Sequence, residues 1–181
     1  MKMKTVIWLG ALATAISLGA CKKNNNDTTT DNTSTVNGQD TTFLINVSKS
    51  NRAEVALAAI ALSTSSNDSV KMFANMMVLD HTTAQTNLTK LRDSVSSTVN
   101  LSDSLDADQI AMRDSLLMLS GRTFDSTYIA GQVRAHQKTL GIFDAEKSGG
   151  QNAQVKNFAA NNRPMIQSHL NMADSILLKF Q

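Results

Sequence analysis

Three histidines, His81, His136 and His169, and one of the chain's two glutamates, Glu54, are the residues whose type and spacing could do chemistry together. Imidazole nitrogens and a carboxylate oxygen are ligands for one transition-metal ion such as Zn, Mn, Fe or Cu. Each falls on the apolar stripe of a different long helix predicted below. The midpoints of those helices lie near residues 52, 82, 135 and 165, so all four groups sit within about four positions, or roughly 6 Å along the axis, of one level. Asp80, beside His81, and Asp125 with Tyr128, one turn into the third long helix, are candidates to orient the imidazoles through hydrogen bonds. The same pattern has a metal-free counterpart, a buried polar layer in which His and Glu satisfy one another.

The elements that must position these groups are helices. Apolar or small residues at Leu44, Val47, Ala58 and Ala61 predict a first helix over residues 41–63, with Asp40 or Thr41 as its cap. The strongest periodicity follows, with Val70, Ala74, Met77, His81, Ala84, Leu88, Leu91 and Val95 alternating three and four apart from a start at Asn67 or Asp68. A shorter helix over 104–119 carries Leu105, Ile110, Met112, Leu116 and Leu119 and stops at Ser120-Gly121. Ile129, Val133, His136, Leu140 and Phe143 define the next over 123–147. Val155, Phe158, Asn162, Met165, His169, Met172 and Ile176 define the last over 152–179, where Pro164 should kink or restart the helix. No period-2 run of β-branched residues suggests a strand. The fold class is therefore all-α, a ferritin-like four-helix bundle whose long crossover, 96–122, contains the short extra helix. A plain up-down bundle is the alternative.

Ahead of the helices the chain reads as an address. Lys2 and Lys4 precede an apolar run over 6–18, too short for a spanning helix, so residues 1–20 form a secretory signal. Leu18-Gly19-Ala20-Cys21 resembles the lipobox of bacterial lipoproteins, which implies acylation of Cys21 and cleavage before it. Two or more acyl chains hold a protein stably on a bilayer. Residues 21–40 comprise this lipidated Cys and a polar stretch, KKNNNDTTTDNTSTVNGQD, which reads as a disordered tether to the bundle domain at 41–181. The expected partner is the lipid bilayer, and the expected location is the cell envelope. The outer membrane facing the periplasm ranks ahead of the inner membrane or the cell surface.

Composition closes off other classes. One Cys in 181 residues excludes an intramolecular disulfide framework and Cys-rich zinc or iron–sulfur sites. The formal charge of +2 vanishes once Lys2 and Lys4 are removed, leaving 15 basic against 15 acidic residues. Nucleic acid is not an expected partner, since phosphate recognition needs excess Lys and Arg and only 4% of residues are aromatic. No Gly-rich phosphate loop, His-Glu-x-x-His motif or Gly-x-Ser-x-Gly elbow occurs. The methionines beyond the signal lie mostly on helix seams, which core packing explains.

Phe43-Leu44, Ala53-Glu54-Val55, the run from Val70 to Ala74 leading into Met77-Val78-Leu79-Asp80-His81, Phe124-Asp125-Ser126-Thr127-Tyr128, His136-Gln137-Lys138, and Pro164 through His169-Leu170 resemble the bacterial domain of unknown function 4142. The Asp-His and Phe-Asp-x-x-Tyr blocks carry most of this resemblance. It implies a ferritin-like bundle on exported, often lipid-anchored envelope proteins, with no established reaction. Leu79 departs from the pattern, where relatives often carry an acidic residue. Diiron ferritins use Glu-x-x-His pairs on two helices, and this chain has none, so a diiron ferroxidase is disfavoured. Three functions follow from these residues: a metal-binding lipoprotein for storage, sensing or stress protection, a metal-free structural or interaction module, or a redox enzyme. The third needs an open coordination position and a substrate path, and no reaction is legible in the sequence.

Overall fold

The computed structural model describes residues 35–95 and 98–181. The signal segment, Cys21 and the tether up to residue 34 lie outside them. Five α-helices follow in order: α1 (Gly38–Thr64), α2 (Asp68–Val95), α3 (Ala107–Leu117), α4 (Gly121–Gly149) and α5 (Ala153–Leu177), with a 3₁₀ turn at Leu178–Phe180. No strand occurs among the described residues.

Helix starts follow local chemistry. α1 begins ahead of the expected Thr41, and its cap is Asn37 rather than Asp40 or Thr41. The Asn37 side chain accepts from the Asp40 backbone N–H at 2.8 Å, while the Asp40 carboxylate accepts from the Asn37 N–H at 2.7 Å. This reciprocal box satisfies two N–H groups left open at the helix start. Three residues assigned to the tether thus belong to α1. Asp106 and Gln109 build the same box on α3, and Asn152 caps α5. Gly121, at φ +56°, makes the left-handed step from α3 into α4, a conformation that costs other residues energy. Pro164 lies inside α5, which continues through it as one helix without the expected restart.

The long helices form a square in which α1 neighbours α2 and α4, and α5 neighbours α4 and α2. Direction follows from the ends. The Asp40 carboxylate, at the start of α1, accepts from the backbone N–H groups of Gln151 and Asn152 at 3.1–3.3 Å, at the α4–α5 turn. The start of α1 therefore shares an end of the bundle with the finish of α4. α2 and α4 run the same way, and the chain between them must climb the full length of the bundle. This is the ferritin-like crossover, and the plain up-down alternative is excluded. Ser48 Oγ donates to the Ser102 carbonyl low on α1, and α3 buries Leu116 beside Phe124 and Tyr128 at the other end.

Two apolar clusters fill the square. One holds Phe73, Met77, Phe124, Tyr128 and Ile129, and the other Phe43, Leu88, Phe143, Val155 and Ile166. A belt of buried polar residues separates them at the level of Glu54, His81, His136 and His169. In α5 the buried stripe is Val155, Ala159, Ile166, His169, Leu170, Ala173 and Ile176, so Val155, His169 and Ile176 of the expected seam face the core while Phe158, Asn162, Met165 and Met172 sit at its half-buried edge.

At the shared end, Glu146 is fully buried against Asp40, and two carboxyl groups in contact can hydrogen-bond only by sharing a proton. Burial, then the Asp40 carboxylate, pushes Glu146 up from 4.5 to about 7, against the opposing charge of Lys156. Between those values the folded chain holds a proton that the unfolded chain releases. Stability should therefore fall as pH rises from about 4.5 to 7 and level off above it, by roughly 1–3 kcal/mol after allowance for solvent screening. Urea melts of wild type and Glu146→Gln across this range check it, and the variant should lose this component of the slope.

Candidate metal centre

His81, His136 and His169 stand on α2, α4 and α5 and converge on the bundle axis, each no more than 2% exposed. Each offers a ring nitrogen, and the three nitrogens lie within 4.8 Å of one another. Ring centroids are 5.8 Å apart for His81 and His136 and 5.4 Å apart for each of these with His169. The rings are mutually inclined at 53–75°, so they surround a common point rather than stack.

The hydrogen bonds around the triad assign its protons. His136 Nδ1 faces the Gln132 backbone carbonyl at 2.9 Å, which can only accept, so Nδ1 carries the hydrogen. His169 Nε2 faces the Asp80 carboxylate at 2.9 Å and donates to it in the same way. His81 Nδ1 lies 2.9 Å from Asn51 Oδ1, at the head of a relay. The Asn51 amide donates to Gln85 Oε1, the Gln85 amide donates to Ser48 Oγ, and Ser48 donates to the Ser102 carbonyl. A relay that ends on a carbonyl has one polarity, so His81 Nδ1 is also a donor. What remains is His81 Nε2, His136 Nε2 and His169 Nδ1, three buried nitrogens with no hydrogen-bond partner.

Electrostatics agree with neutral rings at His81 and His169. Burial, then repulsion from His136 and His169, holds His81 well below the ordinary histidine value. Burial also lowers His169, although Asp80 partly offsets this. Three neutral imidazoles whose free nitrogens bear lone pairs, with each opposite N–H held by an oxygen, form the donor set that metal sites use.

Glu54 shares the polar belt but not the triad. Its Oε1 lies 4.0 Å from His136 Nδ1, the protonated face of the ring, and its Oε2 has no hydrogen-bond partner. Burial raises its carboxyl, against the lowering effect of His136 and of the neighbouring Gln132 amide. Asp80 orients an imidazole, though of His169 across the α2–α5 seam rather than of its chain neighbour His81. Asp125 and Tyr128 are buried about three and two turns from His136 on α4, and no hydrogen bond joins either to an imidazole. Burial and the Glu54 charge drive the Tyr128 hydroxyl well above its usual value. Asn51 and Gln132, which do orient histidines, escaped the sequence reading. Asn51 had a signal in its spacing, three positions before Glu54 on the same helix face, whereas Gln132 acts through its backbone carbonyl, which any residue four positions before His136 would supply.

Comparison with known proteins bears on the fold and the family. A solved structure described as a DUF305 fragment from Deinococcus radiodurans superposes with a TM-score of 0.70 at 12% identity, over 80% of this chain and 99% of that one. At that identity the likeness is one of fold. No protein of curated function matches the sequence. The model of the domain of unknown function DUF4142 matches residues 25–176, most of the chain, and the protein belongs to that family.

Proposed function

We propose that the protein is a lipid-anchored envelope protein whose bundle binds one transition-metal ion through His81, His136 and His169, for metal storage, sensing or protection against metal stress. The observation that carries this reading is the polarity of the triad, three buried unpartnered nitrogens on neighbouring rings whose N–H groups are each held by an oxygen. A buried acceptor left unsatisfied costs about 1–3 kcal/mol. One water has two hydrogens to offer three nitrogens, whereas a cation satisfies all three at once.

The dimensions support it. With metal–nitrogen bonds of about 2.0–2.1 Å, three coordinated imidazoles have ring centroids roughly 5.2–5.5 Å apart. The observed 5.4–5.8 Å is close to that spacing, and the ring nitrogens, within 4.8 Å of one another, would close to roughly 3.3–3.5 Å around an ion. An all-imidazole set suits Zn or Cu better than Mn, which favours carboxylate and water. Titration of the metal-free full chain with Co²⁺, read by its visible absorption, should saturate at one ion per chain, and His169→Ala should abolish the signal. A titration without saturation would count against the site.

The anchor rests on the lipobox pattern at residues 18–21. Cys21→Ser should move the protein from the membrane pellet to the soluble fraction after cell lysis. Equal retention in the membrane would argue against acylation at Cys21.

A further inference from the structure

The crossover helix α3 buries only Leu116, and between it, α1 and α4 lies a cleft of about 600 Å³. That volume is in the range of small-molecule sites, about 300–1,000 Å³. α3 closes over it through one unusual contact: a Cβ on Gly131 of α4 would collide with Met112 Cε of α3. The absent side chain admits a flexible thioether as a lid over the cleft. The walls include Ala53, Leu57, Met112 and Ile142. Among the most buried lining residues is Glu54, 4% exposed, whose Oε2 has no hydrogen-bond partner. At the rim, Lys138 is held 3.9 Å from Asp106 and 3.8 Å from Asp108, whereas Lys49 and Arg134 have no ion-pair partner among the described residues.

These features describe a ligand with a hydrogen-bond donor at one end, an apolar body and an anion at the other. We propose that the cleft binds a small organic acid of this kind, with its carboxylate at Lys49, its body against Leu57, Met112 and Ile142, and its hydroxyl or ammonium donor on Glu54. The site lies on the protonated side of His136 and makes no use of the free nitrogens of the triad. It therefore stands or falls independently of metal binding.

Isothermal titration of the purified full chain tests it with three probes. These are 4-hydroxyphenylacetate (hydroxyl donor), 4-(aminomethyl)phenylacetate (ammonium donor) and phenylacetate (no donor). Saturable one-to-one binding of at least one donor-bearing probe is expected, with phenylacetate at least tenfold weaker. Whichever donor binds more tightly separates hydroxy acids from amino acids. Ala135→Phe, which fills the cleft from a partly exposed wall position, should abolish binding with the helical circular dichroism unchanged. Glu54→Gln should weaken the donor-bearing probe at least tenfold and phenylacetate little. Absence of saturable binding at millimolar probe, or equal binding to folded Ala135→Phe, would overturn the proposal.

Discussion

Excess Zn²⁺ added to the metal-free protein is expected to raise its melting temperature by roughly 8–16 °C, and His136→Ala should remove the increase. The size follows from linkage. An ion that binds only the folded state at a thousandfold over its Kd contributes about 4 kcal/mol, and a domain of this length gains about 2–4 °C per kcal/mol. His136 is the informative position, because its protonated nitrogen is bonded within its own helix, to the Gln132 carbonyl. Its removal takes one ligand from the triad without breaking a hydrogen bond between helices. His136→Leu sharpens the test. In the metal-free protein it replaces a buried unpartnered nitrogen with apolar volume between two apolar clusters, which is expected to be neutral or stabilising, while the Zn²⁺ response disappears. A purely structural polar layer predicts no Zn²⁺ response in any of the three proteins. Differential scanning fluorimetry with and without metal reads all of these outcomes.

The second large effect belongs to the core. Phe43→Ala should lower stability by about 3–5 kcal/mol, the usual cost of emptying a buried aromatic site. Phe43 is fully buried and joins three helices at the end of the bundle remote from α3. Its ring packs edge-on against Phe143 of α4 at 5.1 Å and Phe158 of α5 at 6.3 Å. Such pairs add about 0.5–1.5 kcal/mol beyond their area. The expected fall in melting temperature is roughly 6–20 °C. Asn51 lies about 12 Å farther along α1, so metal stoichiometry should survive. Thermal denaturation and metal analysis of the same preparation separate loss of stability from loss of the site, and loss of both would mean that the belt depends on distant packing.

The heights and faces of His81, His136 and His169 were readable from the sequence because helix rise and seam periodicity determine both. The angular position of Glu54 was not. A seam residue faces the core between two neighbours, and in the fold Glu54 meets the protonated side of His136 rather than the point where the free nitrogens converge. Asp80 shows the same limit, since its partner His169 lies 89 positions away on another helix. In α5 the core face takes Ala159, Ile166 and Ala173, each one position beyond Phe158, Met165 and Met172, because a three-four alternation fixes a stripe only to within a neighbouring position and small Ala gives no strong apolar signal. The start of α1 was hidden by its polar surroundings, where an Asn-x-x-Asp box does the work more often done by Ser or Thr with Glu. The contact between Asp40 and Glu146 joins helix ends far apart in sequence and has no periodic signature at all.

Elemental analysis of the purified full chain, set against His81→Ala prepared identically, tests the central claim most directly. Metal binding by the triad predicts close to one transition-metal ion per wild-type chain, Zn or Cu foremost, and none above background in a folded variant. Wild-type protein that carries no stoichiometric metal and takes up none from added Zn²⁺ or Cu²⁺ would contradict it.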